Sequence, residues 1–341
     1  MSYAIQLLPF DISFDCEEEE TILDAALRQG INLRYGCKHG GCGSCKAQIA
    51  EGEVDVGEAS TFALMDYEQN QGLALLCSAY PLSDVAIELA DDYEEAELRS
   101  GVPIREFEAG VEALAPLTHD IWQLRLALRK PSSMTFEAGQ YVEIQVPGTD
   151  SWRAFSMSNA PSDEGRVELM IKLLPGGLFS GFLSERLAVG DALKLRGPFG
   201  RFVLAETEAP IIMVAGGAGL APIAAMLRAL AERNSQRSIT FFYGARTTRD
   251  LFWLEELEAL AGQLESFEFI PALSEPGAAD VWDGEVGLVT EVVDRRCEKL
   301  RAAEAYLCGP PAMIDAAIEV LRAKGLFSAR IRYDKFVSTE D

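Results

Sequence analysis

The chain has 341 residues, with 54 acids against 30 bases and a formal net charge of −24. At about 150 residues per domain two or three domains are expected, and a hydrophobic content of 48% excludes a globally disordered chain. The acidity argues against nucleic acid and against an anionic membrane as the main partner, since both repel such a field.

The charge is concentrated at the N-terminal end. Residues 1–98 hold 20 acids and four bases, a net of −16, against −8 for the rest of the chain. This asymmetry predicts a separate N-terminal module over 1–98. The start, MSYAIQLLPFDISFDCEEEE, has no basic region followed by a long apolar run, so no signal peptide is expected and the expected setting is the cytoplasm.

Four of the seven cysteines form a pattern. Cys37, Cys42 and Cys45 lie in YGCKHGGCGSCKA, a C-x4-C-x2-C array, and Cys77 follows in LLCSAY. This is the plant-type spacing for a [2Fe–2S] cluster, which needs three thiolates from one loop and a fourth from elsewhere. The glycines of the loop let the backbone wrap tightly and bring N–H groups to the sulfurs. Structural zinc is the alternative, but zinc sites more often show paired C-x2-4-C arms, and the x4 arm with a single distant cysteine fits them poorly. Thiols without a ligand are the blandest reading. A Rieske centre needs two histidines near the cysteines, and besides His39 the chain has only His119, far away in sequence. Cys16 and Cys297 read as ordinary packing residues.

The run 91–97, DDYEEAE, reads as a solvated linker. Residues 99–208 then alternate apolar and polar positions in short runs punctuated by Gly and Pro, as at 122–128, 141–146 and 167–173, which predicts antiparallel strands in a small β-barrel. Within it, 152–159 reads WRAFSMSN and 171–180 reads IKLLPGGLFS. Gly176, Gly177 and Ser180 lie at the start of a helical stretch, and a helix N-terminus preceded by glycines favours phosphate. Arg153 can fork onto a pyrophosphate oxygen, Phe155 can flank an isoalloxazine ring, and Ser156 can hydrogen-bond flavin N5.

Residues 209–227 carry no charge, long enough to raise a membrane span. Their three glycines, two prolines and change of pattern suit a strand, a turn and a helix better. From 209 to 341, apolar strand candidates at 211–215, 239–243, 267–271 and 305–307 alternate with helical stretches at 221–233, 253–264, 290–299 and 311–324. That order predicts βαβ units and a parallel sheet. Gly216, Gly217, Gly219 and Pro222 fall in AGGAGLAPI, between strand and helix, where a pyrophosphate can approach. Cys308, Gly309 and Pro310 open CGPP after the strand AYLC. Arg246 and Arg249 follow the strand candidate 239–243, which ends in YGA, and an arginine there can hold a 2′-phosphate.

The order of these motifs resembles the reductase components of bacterial multicomponent oxygenases, within the ferredoxin–NADP reductase superfamily. GLALLCSAYPLSDVAIEL, VPGTDSWRAFSMSN and AYLCGPPAMIDAA bring the resemblance nearer to reductases of soluble di-iron monooxygenases, the methane, propane and phenol hydroxylase type. The resemblance implies an N-terminal β-grasp ferredoxin domain (1–98), a FAD-binding antiparallel β-barrel (99–208) and a NAD-binding α/β domain (209–341). It implies that Arg153, Phe155 and Ser156 contact FAD, with Lys172, Gly177 and Ser180 as the second flavin motif. Position 155 is usually tyrosine in the family, so a hydrogen bond from that ring is lost here. Cys308 is placed beside the nicotinamide C4, and Phe336 in YDKF matches the terminal aromatic that covers the flavin until nicotinamide displaces it. YGAR followed by a short acidic segment resembles the NADH-using members. The expected function is therefore an NADH-dependent reductase that moves electrons through FAD and [2Fe–2S] to a hydroxylase component. Service to a ring-hydroxylating dioxygenase is the alternative, and a non-enzymatic electron carrier or sensor is the alternative of another class.

Overall fold

A computed structural model describes residues 1–277 and 281–336. The chain divides into two units, Met1–Arg105 with Gly197–Arg201, and Glu106–Arg196 with Phe202–Asp341.

The first unit is built on strict alternation. In Ser2–Leu8 and Ile12–Glu17 the side chains of Ile5, Leu7, Ile12, Phe14 and Cys16 are buried, with most of their neighbours toward solvent. The strands pair antiparallel with Ile5 opposite Phe14, a register that stacks the apolar set on one face. Ser2–Leu8 also pairs parallel with Val85–Glu88, giving a mixed five-stranded sheet in the order Ile12–Glu17, Ser2–Leu8, Val85–Glu88, Lys46–Glu51, Leu73–Leu75. The helix Ile22–Arg28 buries Ile22, Leu23, Ala25, Ala26 and Leu27. Its N-cap is Thr21, whose Oγ1 accepts from the Asp24 N–H at 3.2 Å. This is the expected β-grasp. Cys16 is a core residue, and burial pushes its thiol up to about 12.

Most of the segment 91–97 is exposed, as expected of a solvated segment, but it is tied down rather than free-running. It leads into a short helix, Glu95–Leu98, with Leu98 fully buried. Tyr93 Oη accepts the Arg34 N–H at 2.9 Å, and Glu97 is bridged by both Arg34 and Arg201. Long-range pairing has overridden a composition that looks like linker.

The second unit opens with an antiparallel six-stranded sheet, in the order Trp152–Ser156, Tyr141–Gln145, Ala192–Phe199, Arg105–Pro116, Ile121–Lys130, Arg166–Lys172. A bridge between Met157 and Leu169 joins its two edges, so the sheet nearly closes into the expected barrel. Its interior holds Leu124, Leu126, Val142, Ile144, Val167 and Leu169. A parallel sheet follows, in the order Glu285–Val286, Phe267–Leu273, Ile239–Ala245, Ile211–Gly216, Glu304–Gly309, Ile331–Lys335. Ile211–Gly216 is buried along its whole length because it is central and covered on both faces. Strand order reverses between it and Glu304–Gly309, the kind of switch point that opens a ligand crevice at the carboxyl ends. The uncharged stretch 209–227 resolves into this strand, a turn and the helix Leu220–Glu232. Among the described residues no helix is long and apolar enough to cross a membrane.

Candidate cofactor sites

The cysteine loop holds its shape through the sulfurs themselves. The Gly40 N–H donates to Cys77 Sγ at 3.3 Å, the Gly41 N–H to Cys37 Sγ at 3.3 Å, and the Cys37 N–H to Cys42 Sγ at 3.4 Å. Ser44 Oγ lies 3.3 Å from Cys42 Sγ. Gly40 sits at φ +70°, and a Cβ there would stand 2.8 Å from the Glu58 carbonyl oxygen, so only glycine fits. The thiols stand as two mutually perturbing pairs, Cys37 with Cys42 and Cys45 with Cys77. The pairing with Cys45 draws the Cys77 thiol down to about 7 against the cost of burial, while the same pairing and burial push Cys45 up. Two thiol pairs ringed by N–H donors are the donor set that a two-iron cluster requires. Cys45 and Cys77 are buried and Cys42 is exposed, so one edge of the site reaches the surface. His39 is an exposed loop residue whose Nδ1 meets the Cys37 carbonyl at 2.6 Å.

The flavin motif residues lie on the barrel strand Trp152–Ser156. Side-chain alternation puts Arg153 and Phe155 on one face, and Ser156 ends the strand. Phe155 packs on Phe179 with ring centroids 4.8 Å apart. Phe179 belongs to the helix Leu178–Glu185, whose N-cap is Gly177. A cavity of about 760 Å³ opens here, lined by Gly176, Gly177, Ser180, Ser184 and Arg186 among others. A helix N-terminus with glycines and a hydroxyl in an open cavity fits a dinucleotide phosphate. Ser180 Oγ also accepts the Leu174 N–H at 2.8 Å, which fixes the loop ahead of the helix. The Lys172 Nζ pairs with Asp120 at 3.3 Å.

The nucleotide residues converge at the crevice. A Cβ on Gly219 would stand 2.2 Å from the Cys308 carbonyl oxygen, so the absence of a side chain is what lets the turn and the CGPP strand end approach. The Phe336 N–H donates to the Gly309 carbonyl at 2.9 Å, and the ring packs against the adjoining core. Gly216 lies next to Pro310, Pro222 sits in the first turn of the helix Leu220–Glu232, and Tyr243 Oη donates to the Gly217 carbonyl at 3.2 Å. Burial, reinforced by Asp334, pushes the Cys308 thiol far up, so it stays neutral. Asp334 was not singled out from the sequence. It pairs in register with Cys308, and burial raises its carboxyl to about 6. Arg246 stands apart at the next strand end, 3.7 Å from Asp250 Oδ1.

Three family models match the chain in sequence. A 2Fe-2S iron-sulfur cluster binding domain covers residues 5–82, an oxidoreductase FAD-binding domain 108–204, and an oxidoreductase NAD-binding domain 213–319. The chain is 43% identical to the reductase component of propane 2-monooxygenase from Rhodococcus jostii (strain RHA1), over 98% of this chain and 92% of that protein. It is 42% identical to the reductase component of phenol 2-monooxygenase from Pseudomonas sp. (strain CF600), over 100% and 96%. Among solved structures, a cytochrome P450 reductase from Amycolatopsis superposes with a TM-score of 0.91 at 32% identity, covering 98% of this chain and 99% of that one. By these matches, the chain belongs to the family of monooxygenase reductase components, iron–sulfur flavoproteins of the ferredoxin–NADP reductase superfamily with an N-terminal [2Fe–2S] domain.

Proposed function

We propose that the chain oxidises NADH and delivers the electrons singly to the oxygenase component of a multicomponent monooxygenase of the propane and phenol type, in the cytoplasm where NADH is supplied. When bound, FAD takes a hydride and [2Fe–2S] takes and gives single electrons, so together they convert a two-electron donor into a one-electron output. The chain's residues then have positioning and electrostatic tasks, and no general base is required. Arg153 forks onto the pyrophosphate, and Gly177 and Ser180 receive it at the helix start. Phe155 lies along the flavin, and the Ser156 hydroxyl hydrogen-bonds N5. Gly216, Gly217 and Gly219 admit the NADH pyrophosphate, with Pro222 shaping the first helical turn. Cys308, neutral, stands beside the nicotinamide with Gly309 and Pro310, and Phe336 holds that place when the nicotinamide is absent. Lys172, tied to Asp120, contributes charge at a distance. Arg246 beside Asp250 presents a partly neutralised guanidinium, which supports NADH over NADPH.

The observation that carries this reading is the meeting of the Gly216–Gly219 turn, Cys308 and Phe336 at one sheet end, in the same unit as the flavin cavity. A bound cluster would be nearest the surface at the exposed Cys42 edge, where electrons would leave. The segment over that loop is anchored by the Ser60 N–H on the Gly40 carbonyl at 3.0 Å, and it presents Phe62 with 90% of its surface exposed. An apolar anchor within a net charge of −16 fits an oxygenase face with a basic rim. The test is reconstitution with NADH and candidate oxygenase components, following coupled product formation. Product should form, at a rate that falls as salt rises. No product with any such component, despite NADH oxidation, sinks the reading; a salt-independent rate leaves the acidity serving solubility alone.

A further inference from the structure

The helix Leu220–Glu232 touches both halves of the hydride site. At its start, Gly219 lies against the Cys308 carbonyl. Nine residues on, about 13 Å along the axis, Arg228 is one of only two charged residues in an otherwise apolar helix, LAPIAAMLRALAE. Its Nη1 donates to the Ser158 carbonyl at 2.8 Å and to Glu168 Oε2 at 2.7 Å. Ser158 stands two residues beyond Ser156 on the flavin motif. Its N–H donates to the Glu168 carbonyl at 2.7 Å and its Oγ to the same oxygen at 3.0 Å.

Glu168 interrupts the buried run 167–171 of a barrel strand, and its side chain is only 9% exposed. Gln123 Nε2 at 2.5 Å and Arg125 Nη2 at 3.3 Å both donate to its Oε1. A carboxylate this buried is costly unless fully bonded, and here both oxygens are used. Arg228 is covered in turn by Trp253, whose ring centroid lies 5.0 Å from the guanidinium carbon. Trp253 holds a left-handed backbone, φ +63°, which is strained for so bulky a residue and brings its ring to this place.

We propose that Arg228, locked by Glu168 and Trp253, is a positioning residue for hydride transfer. It holds the helix that carries the nicotinamide side of the site at a fixed distance and angle from the strand end that carries Ser156. A shift of about 1 Å between hydride donor and acceptor is enough to slow transfer about 100-fold, even with both cofactors bound. This rests on the assignment of Ser156 and Cys308 to the flavin and nicotinamide sides.

The experiment compares the holoprotein with Arg228→Ala, Arg228→Lys and Glu168→Gln. Anaerobic rapid mixing with NADH gives the flavin-bleaching rate at saturation; calorimetry with NAD⁺ gives coenzyme affinity, and the flavin band gives FAD occupancy. Arg228→Ala should bleach at least tenfold more slowly, with FAD occupancy intact and NAD⁺ affinity changed less than threefold. Arg228→Lys should recover part of the rate. Glu168→Gln, which keeps one of the two acceptor oxygens and removes the charge, should fall between parent and Arg228→Ala. A lowered melting temperature with the parental bleaching rate in both Arg228→Ala and Glu168→Gln overturns the proposal and makes the pair purely structural. If Arg228→Ala does not fold, Glu168→Gln and Arg228→Lys decide by the same rate. A parent protein that NADH does not bleach points instead to failure of the underlying functional reading.

Discussion

The cluster loop and the hydride site are built in opposite ways. Three of the four cluster thiols come from nine consecutive residues, 37–45, and the loop's own N–H groups bond the sulfurs. The proposed hydride site draws Ser156, Cys308 and Phe336 from three distant stretches, which the barrel closure and the switch in strand order bring into a single unit. A site made of one soft-ligand loop carries its chemistry in its spacing. A site made by topology carries it in packing, and its supporting residues lie where no local motif points.

Substitutions should expose that contrast, the greatest effect coming from the most local site. Cys42→Ser should abolish the cluster signal and lower NADH-driven cytochrome c reduction about 100-fold or more, while ferricyanide reduction, which draws on flavin, persists. Loss of both activities would mean that the two sites are not separable. Arg153→Ala removes a charge-assisted pyrophosphate contact worth about 1.5–3 kcal/mol, so FAD should bind roughly 10- to 100-fold more weakly. The flavin-to-protein ratio after gel filtration checks this, and full occupancy removes Arg153 from the site. Phe336→Ser should change the KM for NADH a few-fold, with cluster content untouched; parental steady-state constants would reduce Phe336 to a core contact.

A further contrast concerns pH, where the two regions should respond with opposite sign. Arg201 and Arg34 outweigh burial and hold the Glu97 carboxyl below its ordinary value, so its stabilisation is present at neutral pH and is lost as pH falls through the acid range. Asp334 is held up at about 6 by burial, so the native state carries its proton longer than the unfolded chain does. Its contribution is favourable in acid and fades as pH rises from about 4 to 6, by at most about 3 kcal/mol. Thermal melts should show Glu97→Gln converging on the parent as pH falls below about 4.5, and Asp334→Asn gaining on the parent as pH rises from about 4 to 6. Parallel profiles would contradict the assignment.

Much of this architecture was legible in the residues. The C-x4-C-x2-C array, the strand–turn–helix at 209–227 and the alternation from 209 onward rest on spacing and periodicity, and the observed elements match them to within a few residues at their ends. What escaped was long-range pairing. The run 91–97 looked like solvated acid until Arg34 and Arg201 closed on Glu97. Lys172, read from sequence as part of the second flavin motif, is also paired with Asp120, just ahead of the neighbouring strand Ile121–Lys130, a partner that no local motif announces. Glu168 broke an apolar strand for no reason that its neighbours in sequence could supply, because its partners are 45, 43 and 60 residues away. Short strands such as Glu285–Val286, and the edge strand Ile331–Lys335 that carries Asp334, exist because a sheet was waiting for them.

The central claim, that electrons from NADH reach the cluster only by way of the flavin, is tested most directly by electron paramagnetic resonance after anaerobic mixing with NADH. The holoprotein should develop the reduced [2Fe–2S] signal within the time of a turnover. Protein stripped of FAD, with its cluster intact, should stay silent and regain the signal when FAD is restored. A reduced-cluster signal that appears equally fast without flavin would contradict the account.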